Sequence, residues 1–247
     1  MVIPSLKILH FSDLHYGRIT SEVVDHLKMF IDRHREDIHL IVFTGDFTQR
    51  AKTQEFKAAR QFLDSLDIPF FIVPGNHDVP LYNLFLRFLF PYRKYKRHLG
   101  EVSPHFYEDE KVAIYGLWTV DNFSIKDGKV KSKELSDLKE KFSKVPADKV
   151  KIIACHHPLN ELDVFKDILI VHPHMLLWGH EHQSRITHVD GPKSPLIIAA
   201  GTTTSSRLRK EANSFNLIQV DDVIRVMTYV NSPHGFELHG EFKTDRF

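Results

Sequence analysis

The chain has 247 residues, of which 42% are hydrophobic and 26% charged, and 33 lysines and arginines balance 32 aspartates and glutamates. This balance excludes an overall electrostatic attraction to nucleic acid or to an acidic membrane, so either partner would need a local basic patch. The single cysteine, Cys155, excludes an internal disulfide framework. Because the N-terminal sequence also lacks a secretory signal pattern, we expect a cytoplasmic protein, with residues 1–247 forming one domain.

Seven apolar runs of strand length recur along the chain, and several are continuous rather than alternating, which is typical of strands covered on both faces. Helical patterns at Thr20–Arg35 and Thr53–Leu66 separate the first three runs and indicate a parallel α/β beginning. After residue 196, "FNLIQV" and "IRVMTYV" read as an antiparallel hairpin, followed by "GFELHGEF". The seven runs are Leu6–Phe11, Leu40–Phe43, Phe70–Val73, Val112–Leu117, Val150–Cys155, Met175–Trp178 and Leu196–Ala200.

Aspartate, asparagine and histidine side chains follow five of these predicted strands. Asp13 and His15 lie two residues apart, so on extended backbone we expect them to point the same way. Because the carboxyl ends of parallel strands form the binding crevice of an open α/β sheet, all five sets should converge in space. The sets are Asp13 and His15; Asp46 in "TGD"; Asn76, His77 and Asp78 in "PGNHD"; His156 in "HHP"; and His180 and His182 in "GHEH".

The donor types at these strand ends are carboxylate, amide oxygen and imidazole. This mixture suits manganese, iron, zinc or cobalt better than magnesium or calcium, and we favour manganese or iron. The donors are too many for one ion. Two divalent ions roughly 3.5 to 4 Å apart, bridged by one carboxylate, would use them all and clamp both oxygens of a phosphoryl displacement.

The motifs D-x-H, G-D, G-N-H-D, H and G-H-x-H occur in this order over residues 13–182 and resemble those of the calcineurin-like metallophosphoesterases. The resemblance implies a four-layer α/β/β/α sandwich with two central mixed β-sheets, in which the late hairpin strands complete the second sheet. It also implies which residues bind metal. They are Asp13, His15 and His182 on the first ion, Asn76, His156 and His180 on the second, and Asp46 as the bridge.

Catalytic roles follow from the same resemblance. His77 would face the scissile phosphate as a general acid or as a stabiliser of developing charge, and Asp78 would orient it. The nucleophile would be a hydroxide that bridges the two metals, because two cations lower the pKa of bound water. Arg50 and Arg207 are candidates to hold a phosphate oxygen or a substrate arm, although both could equally be surface charges.

The flanking sequences "GDFTQ" and "GHEHQ" resemble most closely the class III cyclic nucleotide phosphodiesterase branch, which implies a small phosphodiester substrate such as a cyclic nucleotide. One alternative is a pyrophosphatase acting on UDP-2,3-diacylglucosamine in lipid A synthesis, but that branch resembles G-N-R-D where this chain has His77. A nuclease would need a positively charged track, which the charge balance disfavours. A non-catalytic protein-binding scaffold would have lost ligands, and here every one is present.

Residues 80–99 form an amphipathic segment with a basic end. Phe85, Phe88 and Leu89 supply aromatic and apolar bulk, and four basic residues follow between positions 93 and 97. We favour a core-facing helix with a solvated basic end. The alternative is that residues 81–99 contact a membrane surface or an acylated substrate, which would make the protein peripheral to the membrane.

Overall fold

Two six-stranded β-sheets form the centre of the computed structural model, which describes residues 6–121, 123–124, 126–189, 194–208 and 211–245. The strands are β1 (Leu6–Phe11), β2 (Leu40–Phe43), β3 (Phe70–Ile72), β4 (Phe106–Glu108), β5 (Val112–Gly116), β6 (Val150–Ala154), β7 (Met175–Trp178), β8 (Arg185–His188), β9 (Leu196–Ala199), β10 (Ser214–Val220), β11 (Val223–Ser232) and β12 (Gly235–Asp245). The helices are α1 (Ser21–His34), α2 (Thr53–Asp64), α3 (Leu84–Leu89), α4 (Arg93–Leu99), α5 (Ser132–Ser143) and α6 (Phe165–Leu169).

The first sheet has the strand order β12-β11-β10-β1-β2-β3. Strands β1, β2 and β3 are parallel, whereas β10 runs antiparallel to β1, with Leu6 opposite Val220. The expectation that the late strands complete the second sheet was therefore wrong. Six of the seven β10 residues are buried, so this strand needs cover on both faces and takes a central position beside β1.

The second sheet has the order β4-β5-β6-β7-β9-β8, in which β5, β6, β7 and β9 are parallel and the two edge strands are antiparallel. Sequence analysis missed both edge strands. β4 has only three residues and β8 has four, and none of their side chains is fully buried, so neither has the apolar pattern of a core strand.

Buried side chains divide into three clusters that define four layers. Val42 and Phe71 of the first sheet cluster with Ile114, Ile152 and Leu177 of the second, so the sheets pack face to face. Helices α1 and α2 cover the outer face of the first sheet, and α5 and α6 cover that of the second. The α/β/β/α sandwich is thus confirmed, and each fully buried aliphatic or aromatic side chain contributes roughly 1.5–3 kcal/mol.

Candidate metal centre

Five of the polar residues that follow the parallel strands have left-handed backbone and not extended backbone. Strand β1 ends at Phe11, before Asp13 and His15, whose φ angles are 53° and 52°. The corresponding angles of Asp46, His180 and His182 are 56°, 67° and 58°. The structure therefore brings Asp13 and His15 together, but the strand alternation that we gave as the reason was wrong. Left-handed backbone is unfavourable for residues with a Cβ, and such strain concentrates at functional sites.

A run of threonines after β9 supports the turn that carries Asp13 and His15. The hydroxyl of Thr202 donates a hydrogen bond of 2.8 Å to the Asp13 carbonyl, and that of Thr204 donates one of 2.8 Å to the Leu14 carbonyl. Sequence analysis missed these residues, although "GTTT" directly after an apolar run was a signal of polar support at a strand end. Each bond contributes on the order of 1 kcal/mol toward holding the strained turn.

Four donor atoms form a first group around Asp13. Its Oδ1 lies 3.0 Å from Nε2 of His182 and 3.4 Å from Nε2 of His15. The two Nε2 atoms are 3.4 Å apart, and that of His15 is 3.7 Å from Oδ2 of Asp46. The group thus joins residues that follow β1, β2 and β7.

A second group of donors forms around Asn76. Its Oδ1 lies 2.9 Å from Nε2 of His156 and 3.1 Å from Nδ1 of His180, and these two nitrogens are 3.3 Å apart. Nε2 of His156 is also 3.4 Å from Oδ2 of Asp46. The same oxygen of Asp46 therefore belongs to both groups.

Hydrogen bonds made outside the two groups leave lone pairs facing inward. Nδ1 of His156 lies 2.7 Å from the Thr44 carbonyl; since that oxygen can only accept, Nδ1 keeps its hydrogen, and Nε2 is the nitrogen that presents a lone pair once it loses its own proton. Oδ2 of Asp13 accepts hydrogen bonds from the Ser12 hydroxyl and the His180 amide, whereas its buried Oδ1 accepts none. Lone pairs that face each other in a buried site repel unless a proton or a cation lies between them.

The spacing of the donors fits two cations. Ligands about 2.1 Å from one ion are separated by roughly 3.0 Å in an octahedron and 3.4 Å in a tetrahedron. The donor separations reported above lie between 2.9 and 3.7 Å. The arrangement can therefore hold two ions that share Asp46. Six of the seven residues are at most 5% exposed: Asp13, His15, Asp46, Asn76, His156 and His182.

Charges in the cluster favour binding of cations. Burial would lower the pKa of His156, but the Asp46 carboxylate outweighs burial and raises the pKa to about 9. Burial would raise the pKa of Asp13, but nearby His182 and His15 hold it well below its usual range. Asp46 thus keeps a proton on His156, and a metal ion that binds there must displace that proton.

His77 lies at the edge of the cluster and is partly exposed. One of its ring nitrogens is within 4.8 Å of donor atoms of His15 and Asp46. Its Nδ1 lies 2.7 Å from the carbonyl oxygen of Gln49, and because a carbonyl cannot donate, Nδ1 carries the hydrogen. Nε2 is therefore the atom that can take up or release a proton.

Asp78 holds the loop backbone. Its carboxylate accepts hydrogen bonds from the amides of Phe47, Thr48 and Gly75 at 3.2, 2.9 and 3.0 Å, and from the Thr48 hydroxyl at 3.1 Å. We predicted that Asp78 orients the His77 ring, but the structure shows no hydrogen bond between these two side chains. The carbonyl of Gln49 is placed to orient the ring instead. Burial, followed by the charge of Asp46, raises the pKa of Asp78 to about 7.

A polar cleft of about 120 Å³ lies beside His77 and is lined by Arg18, Arg50, Arg207 and Tyr82 among others. The structure thus brings the two arginines singled out in the sequence to one place. Sequence analysis missed Arg18, because nothing in its neighbourhood marks an isolated exposed arginine as part of a site.

Residues 81–99 contain one exposed and one core-facing helix. In α3, Phe85, Phe88 and Leu89 are 67%, 52% and 48% exposed, so the interpretation as a core-facing helix was wrong there. Helix α4 does face the core, since it buries Tyr95 and Leu99 completely. Five of the six α3 residues are apolar, so a helix this short cannot direct all of them inward, and Phe85, Phe88 and Leu89 remain exposed. No helix within the described ranges combines the length and the apolar character that crossing a bilayer requires.

Comparison with known proteins agrees with this geometry. The model of the calcineurin-like phosphoesterase family matches residues 6–184. A probable glycerophosphodiester phosphodiesterase of Arcobacter nitrofigilis is 30% identical over 61% of this chain and 56% of its own length. A probable cyclic nucleotide phosphodiesterase of Fibrobacter succinogenes is 28% identical over 62% and 57%. The chain thus spans a little over half the length of these curated relatives.

Among solved structures, a purple acid phosphatase from yellow lupin (Lupinus luteus) superposes with a TM-score of 0.70. The match covers 98% of this chain and 54% of the lupin chain at 12% sequence identity. At that identity, the superposition supports the fold and says nothing about the substrate.

Proposed function

The chain belongs to the calcineurin-like phosphoesterase family, a metal-dependent family, and on this premise we propose that it is a phosphodiesterase that uses two divalent cations. The observation that carries the proposal is the position of Oδ2 of Asp46, which lies 3.7 Å from Nε2 of His15 and 3.4 Å from Nε2 of His156. One carboxylate oxygen shared by two donor groups is what a pair of neighbouring ions requires.

Under this proposal each group holds one ion. Asp13, His15 and His182 would hold the first, Asn76, His156 and His180 would hold the second, and Asp46 would contribute to both. Mixed nitrogen and oxygen donors suit manganese or iron. When bound, such ions polarise phosphoryl oxygens and lower the pKa of coordinated water, so no side-chain nucleophile is needed.

His77 then acts on the leaving group. The Gln49 carbonyl fixes the hydrogen on Nδ1, so Nε2 can carry the proton that the departing oxygen takes up, or stabilise the charge that develops on it. Its partial exposure leaves room for substrate, in contrast to the buried donors. A positioned acid of this kind contributes typically 10²–10⁴-fold to the rate.

The names of the two curated relatives support a phosphodiester as the substrate class, and one of them supports a cyclic nucleotide. The test is hydrolysis of bis(4-nitrophenyl) phosphate, cyclic AMP and glycerophosphocholine by protein loaded in turn with manganese, iron, zinc and cobalt. We expect turnover that needs metal and disappears in the Asp46→Asn variant. The proposal fails if no metal supports hydrolysis of any diester, or if the variant retains the activity of the parent protein.

A second candidate function is hydrolysis of the pyrophosphate bond in an acylated nucleoside diphosphate sugar of the UDP-2,3-diacylglucosamine type. It is favoured by the exposed aromatic side chains of Tyr82, Phe85 and Phe123, which are 77%, 67% and 78% exposed. Phe88 contacts Phe123 with ring centroids 5.1 Å apart, and so joins α3 to a neighbouring loop. Exposed basic residues on α4 would complement an anionic lipid surface, and under this candidate the protein would bind at the membrane periphery.

Acyl recognition predicts release of UMP from UDP-2,3-diacylglucosamine in detergent and cosedimentation with phosphatidylglycerol vesicles. Phe85→Ser should weaken both, because it removes an exposed apolar side chain from α3. The matched control is Leu238→Ser, which removes a 54% exposed apolar side chain from β12. Equal loss in both variants, or no vesicle binding by the parent protein, would exclude this candidate.

A further inference from the structure

We propose that the cleft lined by Arg18, Arg50 and Arg207 binds a second anionic group of the substrate, next to the scissile phosphodiester. The inference rests on the proposed function, because it takes the Asp46 cluster as the place of the scissile phosphate. It narrows the substrate class to phosphodiesters that carry a further phosphate or carboxylate.

The first observation is that these arginines have no acidic partner. Among the described residues, none of the three forms an ion pair, whereas four exposed or half-exposed arginines elsewhere pair with aspartate or glutamate. Those four pairs have nitrogen–oxygen distances of 2.7 or 2.8 Å and involve Arg35, Arg60, Arg185 and Arg225. Three like charges that line one small cleft repel each other unless an anion is bound among them.

Glu55 lies near the cleft, but backbone amides and close packing occupy its carboxylate. Oε2 of Glu55 accepts hydrogen bonds from the amides of Arg50 and Lys52 at 2.8 and 3.2 Å. Its Oε1 packs against Gly17, where a Cβ atom would approach it to 2.7 Å. Glu55 therefore fixes the loop below the cleft and leaves the guanidinium groups available.

The size and the walls of the cleft fit one anionic group. Sites for whole ligands measure roughly 300–1,000 Å³, so a cleft of about 120 Å³ has the size of a subsite. The Arg50 guanidinium carbon lies 5.5 Å from the centre of the Tyr82 ring, and this contact steers the side chain toward the cleft wall. Planar guanidinium groups match phosphate and carboxylate geometry with paired hydrogen bonds.

Continuity with the cluster places the second anion. His77 lines the cleft, and one of its ring nitrogens is within 4.8 Å of the donor atoms of His15 and Asp46. Under the proposed function, a group bound in the cleft would thus adjoin the imidazole that faces the scissile phosphate. A cyclic mononucleotide has one negative charge and would leave the cleft unused, whereas a diphosphate-linked or bisphosphorylated substrate would fill it.

The experiment measures binding and needs no turnover. Manganese-loaded protein is titrated by calorimetry with two matched pairs, UMP against UDP and thymidine 5′-monophosphate against thymidine 3′,5′-bisphosphate. Each pair differs by one phosphate, placed either adjacent to or remote from the first. We expect the added phosphate to lower Kd at least fivefold in one of the pairs.

Three variants test the residues: Arg18→Gln, Arg50→Gln and Arg207→Gln. Each variant should reduce the gain in affinity from the added phosphate to less than fivefold. The matched control is Arg33→Gln, which replaces an exposed arginine near the C-terminal end of α1 and should preserve that gain. A gain below fivefold in both pairs for the parent protein, or a gain that survives all three replacements together, overturns the proposal. Hydrolysis of bis(4-nitrophenyl) phosphate is measured in parallel to distinguish the two proposals. Turnover without the gain in affinity would reject only the proposed anion site in the cleft. The gain in affinity without turnover would reject only the proposed phosphodiesterase activity.

Discussion

Nε2 of His156 lies 3.4 Å from Oδ2 of Asp46, although the two residues follow strands of different sheets. The other oxygen of Asp46 accepts a hydrogen bond of 2.8 Å from the backbone amide of His77. One carboxylate therefore links the carboxyl edges of both sheets, contributes to both donor groups and positions the loop that carries His77. This arrangement makes Asp46 the residue whose charge matters most to the site.

Replacing Asp46 by asparagine is predicted to remove metal from both positions. The amide keeps an oxygen for the His77 backbone, but it loses the negative charge and can direct N–H groups at the histidine nitrogens. Metal content after manganese loading and desalting should fall from two ions per chain to less than one half. Asp222→Asn, at the exposed turn between β10 and β11, is the matched control and should retain two. A variant that keeps a full pair would show that Asp46 does not bridge.

The variant His77→Asn is predicted to keep both ions and lose turnover. His77 lies at the edge of the cluster, so its removal leaves the seven donor residues intact, but it takes away the proton at Nε2. We expect kcat on bis(4-nitrophenyl) phosphate to fall by about 10²–10⁴-fold, with unchanged metal content. His234→Asn, in the exposed turn before β12, controls for the loss of a surface histidine. Metal loss in step with activity would mean that His77 is a ligand.

The variant Asp78→Ala is predicted to reduce stability more than a catalytic role alone would require. Four hydrogen bonds converge on this buried carboxylate, and three of the donors are backbone amides that would lose their acceptor. An unsatisfied buried donor costs about 1–3 kcal/mol, so the free energy of unfolding should fall by at least about 2 kcal/mol. Urea denaturation measures this, and Asp78→Asn, which keeps one oxygen, should lose less. If the variant is as stable as the parent protein and only kcat is reduced, the result would support the original prediction that Asp78 orients His77.

The elements that sequence analysis placed well are those whose side chains carry a strong pattern. The runs at Leu6–Phe11, Leu40–Phe43 and Met175–Trp178 coincide with β1, β2 and β7, because each is continuously apolar and is buried on both faces. The D-x-H and G-H-x-H motifs likewise identified residues that the structure brings within hydrogen-bonding distance of one another. In these cases the local sequence pattern matches the environment that the fold provides, so the sequence alone is enough for the prediction.

Features that depend on partners distant in sequence were missed or misjudged. The left-handed turn at Asp13 and His15 is supported by hydrogen bonds from Thr202 and Thr204, about 190 positions later. The side on which β10 pairs depends on which edge of β1 is free, and no residue of β10 encodes that choice. Arg18 becomes part of a site only because the fold places it beside Arg50 and Arg207.

The last prediction concerns a half-buried carboxyl group, that of Glu134, away from the metal centre. Burial raises the pKa of Glu134 from 4.5 to about 7, although a hydrogen bond from the Trp118 amide to its Oε2 acts in the opposite direction. Between these two values the folded chain binds a proton that the unfolded chain has released. The stability that Glu134 contributes is therefore fully present below about pH 4.5 and is lost as pH rises through 7.

The variant Glu134→Gln cannot ionise and keeps an oxygen for the Trp118 amide. At pH 8 it should be more stable than the parent protein by up to about 3 kcal/mol, which corresponds to a pKa difference of about 2.5 units. Near pH 5 most of this difference should vanish, because the parent carboxyl is then largely protonated in the folded state. Urea denaturation of both proteins at pH 5 and pH 8 measures the change, and other titrating groups cancel in the comparison. A stability difference that is the same at both pH values, or larger at pH 5, would show that Glu134 is ionised in the folded protein.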